Sequence, residues 1–177
     1  RIESRPMKGT AARGLWFEQD LDHARRLRES VKERSENVMI VDMVRNDLGR
    51  VARPGSVRVT SLFDVERYPT VLQLTSTVAA EIDAGLVDVM RALFPAASIT
   101  GAPKARTMEI IAAVECSPRR AYTGAIGFVE PGGRSQFNVA IRTVLVNRSN
   151  GEAEYGVGGG IVADSNRDDE WSESRIK

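Results

Sequence analysis

The sequence predicts an α+β fold, in which helices dominate the first half of the chain and antiparallel strands the second. Two strongly charged segments, residues 18–34 and 35–48, carry apolar residues at helical spacing. Three later segments alternate or are rich in β-branched residues and are separated by glycine-containing turns: residues 122–130, 136–146 and 152–162. Because helices and strands are segregated along the chain, the order disfavours a doubly wound parallel sheet.

Shorter elements are predicted between these two regions. Alternation and β-branched residues predict strands at 56–59, 63–68 and 71–78. Apolar residues at helical spacing predict helices at 86–94 and 105–114. Gly49 is placed to end the helix over 35–48, and Pro95 to end the helix over 86–94.

Composition excludes several classes of protein. The 177 residues suffice for one sizeable core or two small ones, and 25 Lys+Arg against 24 Asp+Glu disfavour a nucleic-acid binder. The sequence has no apolar run long enough for a membrane span and no signal-peptide core. The single cysteine, Cys116, allows no internal disulfide, and the single histidine, His23, lies in a charged helical segment. We therefore expect a cytoplasmic protein without a zinc site or a histidine triad.

The ends of the sequence predict a fragment. The chain opens without a methionine on an apparent strand and stops inside an acidic helix. We expect a piece of a longer polypeptide that lacks an upstream part and the end of its last helix.

The stretch from residue 156 to residue 177 is the first candidate site. Consecutive glycines there let a backbone approach a ligand closely, and their N–H groups can bind an anion. Glu170 and Glu173 are three residues apart and share one helix face, with Lys177 one further turn along. The alternative interpretation is a hairpin that ends in a solvated acidic helix.

A second pair of carboxylates, Glu33 and Glu36, lies at the entrance of the helix over 35–48. Two helices that each present such a pair could hold Mg²⁺, because a hard cation prefers oxygen ligands. Alternatively, acids near a helix start merely complement its dipole.

Several cationic residues could bind an anionic substrate. Arg142 is predicted mid-strand among apolar residues, where it needs a ligand carboxylate or a buried acid as its partner. Lys8 precedes a glycine bend, and its small and apolar neighbours could desolvate the amine and make it nucleophilic. The alternative interpretation is an ordinary surface lysine before a turn. The loop over 98–104 precedes a helix N-terminus and could receive a carboxylate or phosphate, although its spacing is not that of a P-loop.

These motifs together resemble the catalytic core of the chorismate-utilising enzymes. The motifs that carry the resemblance are, in chain order, RPMKGT, SENVMIVDMVRNDLGR, PGSVRV, YPTVLQLTSTV, SITGAPKARTMEII, YTGAIGF, FNVAIRT and GGGIVADSNRDDEWSES. They cover nearly the whole chain and are highly specific as an ordered set. The family includes anthranilate and aminodeoxychorismate synthases, with isochorismate and salicylate synthases more distant.

The resemblance implies two packed antiparallel β-sheets with helices on the outside and an active site in the cleft between the sheets. It also implies Mg²⁺ bound to the ring carboxylate of chorismate. The implied metal ligands are Glu36 and Glu173, supported by Glu33 and Glu170. The implied substrate-binding residues are Tyr122 and Arg142 for the enolpyruvyl carboxylate, with backbone near Gly159 and Gly160, and Thr100 and Lys177 for the substrate carboxylates.

Lys8 makes the chain similar to the aminodeoxychorismate synthase component I group, which carries lysine where anthranilate and isochorismate synthases carry alanine. The resemblance implies that Lys8 forms a covalent adduct at C2 of chorismate and that ammonia then adds at C4. The product is 4-amino-4-deoxychorismate, in 4-aminobenzoate and folate biosynthesis, and a glutaminase subunit or fused domain would supply the ammonia. The alternatives are an anthranilate synthase large subunit and a non-catalytic chorismate-binding fragment.

Three departures from the family pattern bear on activity. Gln73 stands where anthranilate synthases usually carry histidine, which further disfavours anthranilate formation. An upstream acidic residue and an upstream regulatory pocket of the family are missing, and the last helix is cut at Lys177. We therefore expect this fragment by itself to fold poorly or to be inactive.

Overall fold

The computed structural model describes residues 1–161 and 165–176, except for the side chains of residues 169, 173 and 176. It divides into two compact units, Arg1–Ala102 and Pro103–Lys177. We describe each unit by itself.

The first unit combines strands and helices. Its strands are β1 (Ile2–Ser4), β2 (Met7–Ala12), β3 (Arg58–Arg67) and β4 (Val71–Ala80), and its helices are α1 (Phe17–Glu29), α2 (Val31–Gly49), α3 (Leu86–Leu93) and α4 (Ala97–Thr100). All strand pairs are antiparallel, and β4 is the central strand. Leu72, for example, pairs with Ala11 of β2 on one side and with Arg67 of β3 on the other.

The core of this unit lies between β4 and the two long helices. One buried cluster joins Leu72 and Leu74 of β4 to Ala24 and Leu27 of α1. A second cluster joins Val78 of β4 to α2 residues, among them Leu48, which is fully buried. Burial of each such side chain contributes about 1.5–3 kcal/mol, so these contacts hold α1 and α2 against the sheet.

The boundary between the two long helices differs from the prediction. The break lies at Ser30, four residues before the predicted boundary, and α2 begins at Val31. The Ser30 hydroxyl accepts a hydrogen bond from the Glu33 backbone N–H at 3.4 Å, and serine is favoured as an N-cap. Gly49 is the last residue of α2, and Pro95 follows soon after α3, as predicted.

The second unit consists of short strands and two helices. They are α5 (Lys104–Val114), β5 (Ala125–Val129), β6 (Ser135–Val139), β7 (Val144–Val146), β8 (Ala153–Tyr155) and α6 (Arg167–Ile176). The strands form two antiparallel hairpins, β5–β6 and β7–β8.

The predicted long strands of this unit are therefore wrong in two places. The strand predicted over 136–146 is interrupted between β6 and β7, where Arg142 has φ +50°. A residue in this left-handed conformation does not continue a ladder of extended residues. Of the strand predicted over 152–162, the described residues form strand only in β8, and residues 162–164 lie outside the described residues.

The predicted α+β class with antiparallel sheets is confirmed. Across the described ranges, none of the helices has both the length and the apolar character required to cross a membrane.

Candidate active site

Lys8 lies in a bulge of strand β2. The register with β4 passes from Met7 opposite Thr75 to Thr10 opposite Gln73, so β2 advances by three residues while β4 advances by two. Gly9 adopts φ +98°, a conformation that glycine reaches without steric cost. Because a bulge changes the direction of the side chains beside it, this irregularity decides where the Lys8 amine points.

The bulge brings Lys8 to the first turns of α2. Lys8 Nζ lies 3.9 Å from Glu36 Oε2, and both side chains are about one-third exposed. The amine and the carboxylate are thus close enough to attract each other but too far apart for a tight hydrogen bond. Both groups keep access to solvent and therefore to a ligand.

Glu33 packs directly against the same bulge. A Cβ atom added to Gly9 would lie 2.9 Å from Glu33 Oε2 and 3.2 Å from the Leu74 Cβ. The glycine is therefore needed both for its backbone conformation and for the space that Glu33 occupies. The structure brings together three of the predicted site residues in this unit: Lys8, Glu33 and Glu36.

Asn37 is a residue of this region that the sequence analysis missed. It is completely buried, and its Oδ1 accepts a hydrogen bond of 2.6 Å from the Ser76 hydroxyl of β4. The same hydroxyl accepts a bond of 3.2 Å from the Phe63 backbone N–H. Asn37 Nδ2 has no hydrogen-bond partner within the described part of the chain. The signal in the sequence is a polar residue one turn after Glu33, on the face that also carries Ile40 and Val41.

Thr100 and Gln73 are two further residues of the first unit whose side chains form hydrogen bonds. Thr100, on α4, is 8% exposed, and its hydroxyl lies 3.4 Å and 3.5 Å from the carbonyl oxygens of Gly101 and Ala96. These weak contacts leave the hydroxyl able to change partners. Gln73 donates a hydrogen bond of 2.8 Å from Nε2 to the Thr10 hydroxyl, which ties β4 to β2 next to the bulge.

In the second unit, the glycine run surrounds the Tyr122 side chain. A Cβ atom added to Gly156 would lie 2.4 Å from Tyr122 Cγ, and one added to Gly158 would lie 2.9 Å from Tyr122 Oη. Real Cβ atoms do not approach that closely, so these two positions exclude any side chain while Tyr122 stays in place. The glycine pattern predicts close approach of a ligand and carries no signal of this contact with Tyr122.

Glu170 extends from α6 to the next glycine of the run. Its Oε1 accepts a hydrogen bond of 2.6 Å from the Ser165 hydroxyl, and its Oε2 would lie 3.0 Å from a Cβ atom on Gly159. Oε2 is buried and has no hydrogen-bond partner among the described residues. A cavity of about 430 Å³ adjoins this carboxylate and is lined also by Gly159, Ile161, Arg167 and Trp171.

Arg142 is placed differently from its prediction. It lies between β6 and β7 rather than inside a strand, its side chain is exposed, and the described residues provide it with no ion-pair partner. The prediction that Arg142 lies mid-strand among apolar residues was therefore wrong, and its predicted role towards a substrate stays a prediction. An exposed guanidinium in a left-handed residue can still meet a ligand carboxylate.

Three predicted site residues remain: the structure describes Gly160, the backbone of Glu173 and no part of Lys177. Gly160 is exposed and follows Gly159 in irregular backbone. Glu173 belongs to α6, three residues after Glu170, but its side chain lies outside the described residues. Lys177 also lies outside the described residues.

The chemistry of these carboxylates suits a hard divalent cation. Oε2 of Glu170 is buried and has no hydrogen-bond partner among the described residues, and such an oxygen is costly unless a cation or donor satisfies it. Glu33 and Glu36 provide further oxygen donors beside the bulge. Within the residues and side chains that the structure describes, however, no three His, Cys, Asp or Glu residues form a ready-made metal cluster.

Known proteins resemble this chain over its whole length. It is 48% identical over 179 residues to aminodeoxychorismate synthase of Streptomyces griseus and 44% identical over 179 residues to anthranilate synthase component 1 of Mycolicibacterium smegmatis. All of this chain is covered in both cases, but only 24% and 34% of the relatives' length. The crystal structure of anthranilate synthase component I from Streptococcus pneumoniae TIGR4 superposes with a TM-score of 0.81 at 32% identity and covers 99% of this chain and 38% of that one.

These similarities confirm the predicted resemblance and the predicted fold. The chain spans well under half of the length of each of these relatives. Residues 1–177, all of the residues printed here, match the family described as chorismate binding enzyme. The chain therefore belongs to the chorismate binding enzyme family.

Proposed function

We propose that the full protein containing this chain converts chorismate and ammonia into 4-amino-4-deoxychorismate, and that Lys8 is its nucleophile. The observation that carries the proposal is the β2 bulge, which presents a partly exposed amine 3.9 Å from the Glu36 carboxylate. The similarity to an aminodeoxychorismate synthase supports the choice of reaction.

The proposed reaction has two displacement steps. The Lys8 amine attacks C2 of chorismate, the ring double bonds shift, and the C4 hydroxyl leaves with the proton lost by the amine, as water. Ammonia then attacks C4, the double bonds shift back, and the Lys8 amine leaves with a proton. The sum is chorismate and ammonia to 4-amino-4-deoxychorismate and water, and the lysine is regenerated.

Several groups would bind the diacid substrate. Tyr122 and Arg142 would hold the enolpyruvyl carboxylate together with backbone N–H groups near Gly159 and Gly160. Thr100 and Lys177 would contact the substrate carboxylates. Fixing the ring in this way makes the attack of Lys8 effectively intramolecular.

Carboxylates would hold a magnesium ion at this site. Glu36 and Glu173 are the proposed ligands, and Glu33 and Glu170 would support them directly or through water. The ion would supply positive charge that neutralises the ring carboxylate of chorismate. Oε2 of Glu170, which is buried and has no partner within the described part of the chain, supports this assignment.

The ammonia would come from a glutamine amidotransferase, either a separate subunit or a fused domain. The component 1 designation of the Mycolicibacterium smegmatis relative is consistent with a separate partner. The single cysteine, Cys116, supports a reducing, cytoplasmic location for the reaction.

Anthranilate synthesis is the alternative reaction. The 44% identity to an anthranilate synthase component 1 supports this alternative, because it is only slightly lower than the 48% identity to an aminodeoxychorismate synthase. Lys8 and Gln73 are the two residues of this chain that oppose it. A third alternative is a chorismate-binding protein without turnover.

The deciding experiment is a product assay on the full protein. The protein is incubated with chorismate, ammonium and Mg²⁺, and the products are identified by mass spectrometry. We expect 4-amino-4-deoxychorismate from the wild type and a roughly hundredfold or larger loss of its rate in Lys8→Ala, because the covalent route is removed. Lys32→Ala, which changes an exposed lysine on α2, is the matched control and should keep the wild-type rate.

The outcomes separate the three hypotheses. Anthranilate as the product, without an added lyase, would identify the alternative reaction. Tight chorismate binding without turnover would identify a binding protein. Unchanged turnover in Lys8→Ala would contradict the covalent role of Lys8.

A double-mutant cycle tests whether Glu36 and Glu170 serve the same ion. Each residue is replaced by glutamine, singly and together, and the Mg²⁺ concentration for half-maximal activity is measured. Coupling between the two changes would support a shared ion, whereas strictly additive effects would oppose it.

A further inference from the structure

The Arg119 guanidinium lies against the aromatic ring of Tyr122. The Arg119 guanidinium carbon lies 5.9 Å from the centroid of the Tyr122 ring, within the range of a cation–π interaction. The same ring is in contact with Gly156 and Gly158, where any side chain would collide with it. Tyr122 is therefore held by Arg119 in addition to the two glycines.

Glu115 keeps the Arg119 guanidinium in place. Arg119 Nε donates to Glu115 Oε1 and Oε2 at 3.0 Å and 2.8 Å, just beyond the C-terminal end of α5. This hydrogen bonding holds the pKa of the Glu115 carboxyl below its ordinary value, so the acid stays ionised at neutral pH. About one quarter of the Arg119 side chain is exposed, which screens the pair less than a fully solvated one.

The backbone that carries Tyr122 is a tight turn with unusual conformations. The Tyr122 N–H donates to the Arg119 carbonyl oxygen at 2.9 Å. Arg120 and Thr123, on either side of this segment, have φ +50° and +61°. Non-glycine residues in this region cost energy and persist only where the surroundings hold them. The Arg119 side chain also reaches the Thr123 hydroxyl at 3.4 Å.

We propose that Arg119, held by Glu115, is a positioning residue that fixes the Tyr122 ring in the orientation in which it meets the substrate carboxylate. The inference rests on the proposed function, because Tyr122 has been assigned there to the enolpyruvyl group. Arg119 itself touches no substrate in this scheme. Its removal lets the Tyr122 ring move away from the glycines.

Arg120 provides a matched control. It is the next residue, it is also an arginine, and it also forms an ion pair, at 3.2 Å to Glu154. Its guanidinium does not lie over Tyr122 in the described structure. Arg119→Gln and Arg120→Gln therefore remove the same charge and the same number of donors from neighbouring positions.

The experiment measures the ¹⁹F chemical shift of the residue 122 ring in the full protein. Tyrosines are replaced biosynthetically by 3-fluorotyrosine, and the ¹⁹F resonance of residue 122 is assigned by its loss in Tyr122→Phe. We expect Arg119→Gln to move this resonance towards that of free 3-fluorotyrosine and Arg120→Gln to leave it in place. Arg119→Lys should retain part of the wild-type shift, because a lysine cation can still approach the ring.

Kinetics provides the second readout. We expect Arg119→Gln to raise the KM for chorismate about fivefold with little change in kcat, as loss of a cation–π contact implies. Glu115→Gln should give a smaller change in the same direction, because it frees Arg119 without deleting it. Melting temperatures of all variants show whether the protein remains folded, and Glu115→Gln serves as the test if Arg119→Gln does not fold.

The outcomes separate the positioning role from the proposed function. An unchanged ¹⁹F resonance in Arg119→Gln, or an equal shift in Arg120→Gln, would overturn the inference. A shifted resonance with an unchanged KM would uphold the positioning of the ring but remove Tyr122 from the substrate site. A shifted resonance together with a raised KM would support both.

Discussion

Lys8 Nζ lies 3.9 Å from Glu36 Oε2, although 27 residues and the whole of α1 separate the two positions in the chain. The contact depends on an extra residue in β2 and on the capping of α2 at Ser30. It joins the proposed nucleophile to a proposed metal ligand. Changes at either position should therefore affect the site in different, measurable ways.

Glu36→Gln should raise the requirement for magnesium. A neutral amide is a poorer ligand than a carboxylate, so we expect the Mg²⁺ concentration for half-maximal activity to rise about 10–100-fold. The measurement is a magnesium titration of the full protein at saturating chorismate. Glu29→Gln, at the exposed end of α1, is the control and should titrate as the wild type does. An unchanged requirement in Glu36→Gln would remove this residue from the proposed ligand set.

Gly9→Ala should destabilise the protein and disturb the site. The φ of +98° imposes a backbone cost of about 1–2 kcal/mol on any residue with a Cβ atom. The new methyl group would also lie 2.9 Å from Glu33 Oε2. We therefore expect a lower free energy of unfolding in urea denaturation and a higher magnesium requirement.

Gly55→Ala separates the two effects of that substitution. Gly55 has φ +75°, but nothing lies within 4 Å of an added Cβ atom. Gly55→Ala should lower the free energy of unfolding through the backbone cost alone and should leave the magnesium requirement unchanged. If both variants behaved alike in both measurements, the contact between Gly9 and Glu33 would have no functional role.

Asp20 should make stability depend on pH in the acid range. Hydrogen bonds from Arg13 and from the Gly14 N–H lower the pKa of the Asp20 carboxyl from 3.8 to about 2. Between these values the unfolded chain binds more protons than the folded one, so stability falls as the pH decreases from about 4 to about 2. The contribution is fully present above about pH 4.

Asp20→Asn tests this dependence by difference. The variant should have a lower free energy of unfolding than the wild type at pH 7. The difference between the two free energies should narrow as the pH falls from about 4 to about 2. Urea denaturation at several pH values provides the measurement. Asp42→Asn, which removes an exposed ion pair with Arg45, is the control. A difference in free energy of unfolding that stays constant with pH would contradict the lowered pKa of Asp20.

Leu72→Ala should destabilise the first unit strongly. Leu72 is completely buried in the cluster that joins β4 to α1, and its truncation leaves a cavity. We expect a loss of about 2–5 kcal/mol in the free energy of unfolding. Leu15→Ala, at a position that is 88% exposed, should change it by no more than about 0.5 kcal/mol. Similar losses in the two variants would contradict the assignment of Leu72 to the core.

Local patterns were sufficient for much of the fold. The apolar spacing of α2 and α3, the glycine that ends α2 and the alternation along β4 all depend on neighbours within a few residues. The same information failed at Arg142, which lies between β6 and β7; nearby, the Ala140 N–H donates to the carbonyl oxygen of Gly124, a residue distant in the chain. Partners that are distant in the chain leave no periodic signal.

By itself, the sequence determined the fold class and the family, because residue spacing and ordered motifs are properties of the chain alone. It also identified Lys8, Glu33, Glu36 and Glu170 as candidates. Only the tertiary structure decided that a bulge points Lys8 to Glu36, that Gly156 makes room for Tyr122 and that Arg119 lies by the same ring. Each of these contacts joins side chains brought together by packing, and packing depends on the volumes and hydrogen bonds of residues far apart in sequence.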